Sequence, residues 1–210
     1  MIRKDIKTFA KSIPNHVQMV VATKYYDIDD LEVLFSNGIT NFGENRVDSF
    51  LPKYEYFKGR GICWHFIGHL QRNKCAKVIN KIDYLHSLDS LELAKMINEK
   101  RDNPLPTFIE VSINEEENKN GVKVSELDQF MSEVLKYPKI KLIGLMMMAV
   151  DNSSEASLHE QFAKLRIIRN NLEKKFNIKL PHLSMGMSHD YLIAIEEGAT
   201  FIRLGHIISE

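Results

Sequence analysis

The sequence predicts one (β/α)8 barrel of the TIM type with an extra N-terminal helix. Three observations indicate this fold: the length, eight short apolar segments, and helical patterns between them. A chain of 210 residues suits one α/β domain over residues 1–210. The segments are apolar on both faces, as buried parallel strands are. The predicted strands are Val17–Thr23, Thr40–Glu44, Trp64–Gly68, Tyr84–Leu88, Thr107–Ile113, Lys141–Met148, His182–Met185 and Thr200–Leu204.

Helical periodicity lies between these strands and also before the first one. The first apolar stripe ends at Pro14, and we expect its helix to close the bottom of the barrel. Ser188 is expected to cap a later helix that Gly198 ends. A doubly wound open sheet is the alternative fold. The sequence lacks the G-x-G-x-x-G turn that is typical of that fold, so we favour the barrel.

Composition and charge exclude several classes of partner. Lys plus Arg equals Asp plus Glu at 28 each, which argues against a nucleic-acid-binding protein. No apolar stretch approaches the ~18 residues of a membrane span, and the N-terminus lacks the apolar core of a secretory signal. Cys63 and Cys75 form no C-x-x-C motif, so we expect free thiols in a reducing cytosol and a cytoplasmic protein.

The polar residues at the predicted strand ends indicate one ligand. In a barrel, chemistry takes place at the carboxyl ends of the strands. Lys24 ends an apolar strand, where a long cation either reaches solvent or reacts. The glycine-containing turns at 186–188 and 205–206 offer free backbone N–H groups to a phosphate. An imine-forming lysine, a phosphate cradle and Arg203 together suggest pyridoxal 5'-phosphate (PLP).

Each of these residues also has a simpler interpretation. Lys24 would be a solvated lysine and Arg203 a salt-bridge partner, while Ser184 and Ser188 would be helix caps. His65 and His69 are four residues apart, but they fall in a strand and the loop after it, which argues against a shared metal. Residues 115–117, three glutamates, are expected in a solvated loop.

Ordered motifs over nearly the whole chain favour the cofactor interpretation. The chain resembles the PLP homeostasis proteins, which are related to the alanine racemase N-terminal domain. The motifs that carry the resemblance are Val21-Ala22-Thr23-Lys24, Asn41-Phe42-Gly43-Glu44-Asn45, the run from Trp64 to Lys74, Val111-Ser112-Ile113-Asn114, Lys119-Asn120-Gly121-Val122, Gly144-Leu145-Met146, Leu183-Ser184-Met185-Gly186-Met187-Ser188 and Ile202-Arg203-Leu204-Gly205.

The resemblance implies a fold-type III barrel that holds PLP as a Schiff base on Lys24. It implies that Asn45 lies beside the cofactor and that Arg203 faces the pyridine nitrogen. It also implies a role in intracellular vitamin B6 and amino-acid balance without robust catalysis. The residues that it assigns to the phosphate are Ser184, Gly186, Met187, Gly205 and His206.

Two positions and the last four residues depart from the family pattern. The family commonly has proline where His69 stands, and a small hydroxyl residue where His206 stands. The usual small or aromatic-glycine ending is replaced by residues 207–210, Ile-Ile-Ser-Glu. We therefore expect an altered phosphate site, in which the His206 imidazole contacts or crowds the phosphate.

The chemistry favours a binding protein over an enzyme. Attack on the aldehyde needs a neutral amine, which burial of Lys24 at the barrel mouth would favour. A fixed cation at Arg203 disfavours protonation of the ring nitrogen and weakens most carbanion chemistry. Racemisation also needs a second acid/base group. Alanine racemases take it from a tyrosine in an additional domain, for which we predict no counterpart, and no tyrosine here is predicted opposite Lys24.

Three functions therefore remain open. The favoured one is a PLP carrier or homeostasis protein that exchanges PLP with PLP-dependent apoenzymes. The second is a minimal PLP-dependent amino-acid racemase. The third is a barrel that has lost the cofactor and works through protein contacts, for which His206 and the unusual ending are the only support.

Overall fold

Eight parallel strands form a closed barrel in the computed structural model, which describes residues 1–113 and 120–209. The barrel order is β1-β2-β3-β4-β5-β7-β8-β9, and β9 pairs back to β1. This closure confirms the predicted barrel and rules out the open sheet. A short extra strand, β6, pairs with β5 outside the barrel. The strands are β1 (Gln18–Ala22), β2 (Asn41–Glu44), β3 (Cys63–Phe66), β4 (Tyr84–Leu88), β5 (Leu105–Ser112), β6 (Val122–Lys123), β7 (Ile140–Met146), β8 (His182–Ser184) and β9 (Phe201–Leu204).

The helices cover the outside of the barrel. Asp27 caps the second helix by accepting a hydrogen bond from Asp30 N at 2.9 Å. None of the described helices is both long and apolar enough to cross a membrane. The α-helices are α1 (Ile6–Ser12), α2 (Ile28–Ser36), α3 (Val47–Phe57), α4 (Arg72–Val78), α5 (Leu91–Lys100), α6 (Leu127–Val134), α7 (Glu155–Phe176) and α8 (Tyr191–Glu196).

The N-terminal helix does not close the bottom of the barrel, so that prediction is wrong. Ile2 forms a bridge with Ser209, which follows β9 at the opposite, carboxyl end of the strands. Helix α1 then runs back along the outer wall, where the Phe9 ring meets Tyr191 of α8 edge-on at 6.2 Å. Burial of its apolar face against this wall, through residues such as Ile6, fixes its position.

Two separate cores stabilise the molecule because the strand residues alternate between faces. Val21 belongs to the large core between strands and helices, whereas Val20 and Ala22 belong to a small core inside the barrel. The interior is tightly packed at Gly43, where an added Cβ would lie 2.8 Å from Val20 Cγ1. The same alternation brings several polar side chains of β3, β4, β8 and β9 inside the barrel: His65, His86, Ser184 and Arg203.

Candidate functional site

Lys24 lies at the mouth of the barrel, in a 3-10 turn (Thr23–Tyr25) that directly follows β1. Its side chain is exposed, so the predicted burial of Lys24 is wrong. The Nζ atom lies 4.5 Å from the centre of the Tyr25 ring, a cation–π contact. The amine is therefore accessible to a solvent-borne ligand.

A buried polar cluster beneath the mouth holds the turn that carries Lys24. Lys53 Nζ donates hydrogen bonds to Thr23 O at 2.6 Å and to Glu44 Oε2 at 2.7 Å. The Thr23 hydroxyl and Asn45 N also donate to the Glu44 carboxylate, at 2.9 and 2.8 Å. One carboxylate thus connects the Lys24 turn to Asn45. We did not predict this cluster; its only signal was an acid that ends an apolar strand.

Asn45 carries an unusual buried acceptor. Its Oδ1 atom is out of contact with solvent and has no hydrogen-bond partner among the described residues. The loop around it is close-packed, because an added Cβ at Gly68 would lie 2.5 Å from Asn45 O. An unpaired buried acceptor costs free energy. A ligand hydroxyl that donates to this oxygen would remove that cost.

Two backbone N–H groups converge after β9. Gly205 N and Ile207 N donate to the Ser188 hydroxyl oxygen at 3.2 and 3.3 Å. The prediction that Ser188 caps a helix is wrong. The residue that precedes α8 is Asp190, and its Oδ1 accepts a hydrogen bond from Met187 N at 2.5 Å. A pair of N–H groups aimed at one oxygen is the arrangement that a phosphate oxygen requires.

The two predicted phosphate turns have a constrained backbone. Gly186 has a φ of +94°, and an added Cβ would lie 2.6 Å from Ala194 Cβ, so both conformation and space require glycine. The Tyr26 hydroxyl donates to Gly205 O at 2.7 Å and ties the turn after β1 to the turn after β9. Burial raises the pKa of Tyr26, which keeps this donor protonated.

His206 stands on the exposed rim of the mouth. Its ring centre lies 4.9 Å from that of Tyr25 and 6.3 Å from that of His189. The Lys24 amine also contacts the Tyr25 ring. The position where the resemblance led us to expect a small hydroxyl residue is thus filled by an imidazole with aromatic neighbours.

Arg203 and Ser184 meet deeper in the barrel. Arg203 Nη1 donates to Ser184 Oγ at 2.7 Å, and Nη2 donates to Met147 O at 2.9 Å. Burial lowers the pKa of Arg203 to about 10, opposed by the charges of Glu110 and Asp190. The guanidinium therefore stays charged at neutral pH. The Ser184 hydroxyl is also 2.8 Å from His86 Nδ1, a residue that we did not predict.

Glu110 is a second buried acid that we did not predict. It is 4% exposed, and burial raises its pKa to about 7. The negative charge of Asp89 acts in the same direction, while Arg203 and His69 oppose it. No group of three metal-ligating side chains occurs in the described part of the chain. Asn114, Lys119 and the glutamates at 115–117 lie outside the described residues.

Known proteins resemble this chain over nearly its whole length. Residues 1–209 match the family model described as "Alanine racemase, N-terminal domain". A pyridoxal phosphate homeostasis protein of Aquifex aeolicus is 38% identical over 197 residues, which cover 92% of this chain and 86% of that protein. The chain belongs to the family of the pyridoxal phosphate homeostasis proteins. A homeostasis protein of Schizosaccharomyces pombe is 33% identical and covers 99% of this chain and 89% of its own length.

Solved structures extend the comparison to the whole barrel. PipY of Synechococcus elongatus PCC7942 with PLP bound superposes on this homeostasis-family chain with a TM-score of 0.91 and 26% identity, covering 98% of this chain and 100% of PipY. PipY without PLP has a TM-score of 0.92. Alanine racemase from Corynebacterium glutamicum, at 15% identity and a TM-score of 0.76, covers 95% of this chain and 58% of its own. That last likeness shows the fold alone.

Proposed function

We propose that this chain binds PLP as a Schiff base on Lys24 and acts in PLP homeostasis without robust catalysis. The observation that carries the proposal is the exposed Lys24 amine, which shares the barrel mouth with the convergent N–H pair of residues 205 and 207. The names of the relatives and the PLP-bound PipY structure support it. PLP would supply an electrophilic aldehyde and an electron-poor ring.

The residues of the mouth suit the separate parts of this ligand. The Lys24 amine would condense with the aldehyde carbon and release one water. The N–H groups of Gly205 and Ile207 would donate hydrogen bonds to the phosphate once it displaces the Ser188 hydroxyl. Asn45 Oδ1 would accept a hydrogen bond from the ring hydroxyl. The other residues that we propose for the cofactor site are Gly186, Met187, Arg203 and His206, together with Ser184, which acts through its hydrogen bond with Arg203.

Arg203 supports binding rather than turnover. A guanidinium that faces the ring nitrogen disfavours its protonation, so the ring withdraws electrons less strongly. Arg203 is held by Ser184 and by the Met147 carbonyl, and its charge persists at neutral pH. We infer that this chain exchanges PLP with amines and apoenzymes in the cytoplasm more readily than it breaks bonds at a substrate carbon.

Racemisation is the second candidate function, and the positions of the three tyrosines argue against it. A racemase needs an acid/base group across the substrate from the lysine. Tyr25 lies beside Lys24, and its ring centre lies 4.9 Å from that of His206. The Tyr26 hydroxyl is committed to Gly205 O, and Tyr191 packs against Phe9 on the outer wall. None of these three tyrosines suits the second role.

A spectral titration with PLP tests the proposal. Wild-type protein should gain a visible absorbance band at equimolar PLP, and Lys24→Ala should not. Lys11→Ala, on the exposed face of α1, is the matched control and should behave as wild type. A band of equal strength in Lys24→Ala, or no band in any protein, would contradict the proposal. Steady turnover of alanine or serine enantiomers that depends on Lys24 would favour the racemase.

A further inference from the structure

A continuous hydrogen-bonded chain crosses the barrel interior below the mouth. It begins at Arg203 Nη1, which lies 2.7 Å from Ser184 Oγ, and continues over 2.8 Å to His86 Nδ1. His86 Nε2 then lies 3.0 Å from His65 Nδ1, and His65 Nε2 lies 3.0 Å from Asn41 Oδ1. The five side chains come from β9, β8, β4, β3 and β2, so the chain links strands on both sides of the barrel.

With Asn41 Oδ1 facing His65 Nε2, only one direction of hydrogen bonding pairs every donor in this chain with an acceptor. Arg203 only donates, so Ser184 Oγ accepts from it. If the Ser184 hydroxyl donates onward to His86 Nδ1, then His86 Nε2–H donates to His65 Nδ1. His65 Nε2–H then donates to Asn41 Oδ1. The opposite direction would set a nitrogen lone pair of His65 against Asn41 Oδ1 and leave the Ser184 proton unpaired within the chain.

Both histidines are neutral and held by ring contacts. Burial lowers the pKa of His65 to about 3, and burial together with His65 and Arg203 lowers the pKa of His86 well below its usual value. The His65 ring stacks on Tyr84 with 4.7 Å between centres and 8° between planes. The His86 ring stacks on Phe108 with 4.5 Å between centres. Each imidazole is therefore fixed in place as well as in tautomer.

We propose that His86 and His65 are positioning residues that fix the orientation of the Arg203 guanidinium through Ser184. Because the Ser184 proton is committed to His86, its oxygen faces Arg203 only as an acceptor. The guanidinium therefore has one favoured rotation, with Nη2 on the Met147 carbonyl. The consequence for the cofactor rests on the proposed function: Arg203 meets the ring nitrogen without reorganisation, as a preorganised site requires.

His182 provides a matched control inside the same barrel. Its Nδ1 lies 3.2 Å from Thr200 Oγ1, and its ring lies 5.1 Å from Phe201. No hydrogen bond of the Arg203 chain passes through it among the described contacts. His182→Gln therefore disturbs interior packing without interrupting the chain, which separates loss of packing from loss of positioning.

The first test needs no cofactor. Nitrogen-15 NMR of histidine side chains in the cofactor-free wild-type protein should show His65 and His86 as neutral Nε2–H tautomers at neutral pH. It should also show slow rotation of the Arg203 guanidinium, which His86→Leu accelerates and His182→Gln does not. An Nδ1–H tautomer at either histidine, or rotation that is unchanged in His86→Leu, would overturn the proposal.

The second test measures the consequence for PLP. His86→Leu should raise the dissociation constant about tenfold, equal to about 1.4 kcal/mol, and shift the pH profile of the visible band. His86→Asn keeps an acceptor near the Nδ1 position and should recover most of the loss. Equal effects in His86→Leu and His182→Gln would overturn the proposal. If wild type binds no PLP, the proposed function fails, and the NMR result still decides the positioning role.

Discussion

Histidine side chains have different surroundings inside the barrel and on its rim. Inside, His86 is buried, stacked on Phe108 and hydrogen-bonded at both ring nitrogens. On the rim, His206 is exposed, and its ring lies near the rings of Tyr25 and His189. The interior therefore holds its side chains in a fixed geometry, whereas the rim leaves reactive groups open to solvent.

The buried cluster beneath Lys24 connects these two regions, and breaking it should have the largest effect. Lys53→Met leaves the Glu44 carboxylate, whose side chain is 0% exposed, without its cation. We expect the free energy of unfolding to fall by about 3–5 kcal/mol, measured by urea denaturation. Lys58→Met, in an exposed 3.8 Å pair with Glu55, is the control and should change stability little. Similar losses in both variants would contradict the account.

The turn that leads from the interior to the rim depends on Gly186. An alanine there combines a positive φ with a clash against Ala194, so Gly186→Ala should destabilise the protein by about 2–4 kcal/mol. Gly59 has a similar φ of +75° but no atom within 4 Å of an added Cβ. Gly59→Ala should therefore cost only about 1 kcal/mol. Thermal unfolding of the pair measures the difference, and equal losses would show that the clash is relieved.

Burial of Glu110 makes the stability of the barrel depend on pH. Its pKa rises from a usual value of 4.5 to about 7 on folding, so the native state holds a proton that the unfolded state releases in that window. Stability from this residue is therefore lost as pH rises from 4.5 to 7, on the order of 2–3 kcal/mol. His65, whose pKa is lowered, acts in the opposite direction. The His65 contribution is the same in wild type and in a Glu110 variant, so it cancels when their free energies of unfolding are subtracted.

Glu110→Gln should therefore become more stable than wild type as pH rises above neutrality, and this advantage should shrink in mild acid. Urea unfolding of both proteins over this pH range measures it. Glu99→Gln, at an exposed position on α5, is the control and should show no such trend. A constant difference between Glu110→Gln and wild type at every pH would refute the proton linkage.

The rim itself should matter least for stability. His206→Ser removes an exposed ring and its contacts with Tyr25 and His189. We expect a loss of less than about 1 kcal/mol and a visible band with PLP that persists. Thermal unfolding and the absorbance spectrum measure both. A loss as large as that of Lys53→Met would mean that the rim is part of the structural core.

Prediction from the sequence worked where the signal is local. Each predicted strand exists because short apolar runs such as Val17–Thr23 are buried on both faces, and all eight carry this signal. The cap at Asp27 likewise depends on neighbours within one turn. The ends of the strands then place Lys24, Asn45 and the 205–206 turn around one mouth, as parallel strands require.

The errors and omissions arise from contacts between distant residues. Lys24 is exposed because a 3-10 turn follows β1 immediately, and Ser188 turns toward the N–H groups of residues 205 and 207 because Asp190 holds Met187 N instead. The link from His65 to His86 depends on the register of β3 against β4. Nothing within a single strand determines that register, so the interior chain was not predictable from the sequence.

The most direct test of the Schiff base proposed on Lys24 is to locate the lysine that takes PLP. Wild-type protein is incubated with PLP, reduced with borohydride, digested and analysed by mass spectrometry. The account predicts a phosphopyridoxyl group on the peptide that contains Lys24 and, at equimolar PLP, on no other peptide. Reduction onto Lys53, Lys74 or several lysines equally, or no reduced adduct at all, would contradict it.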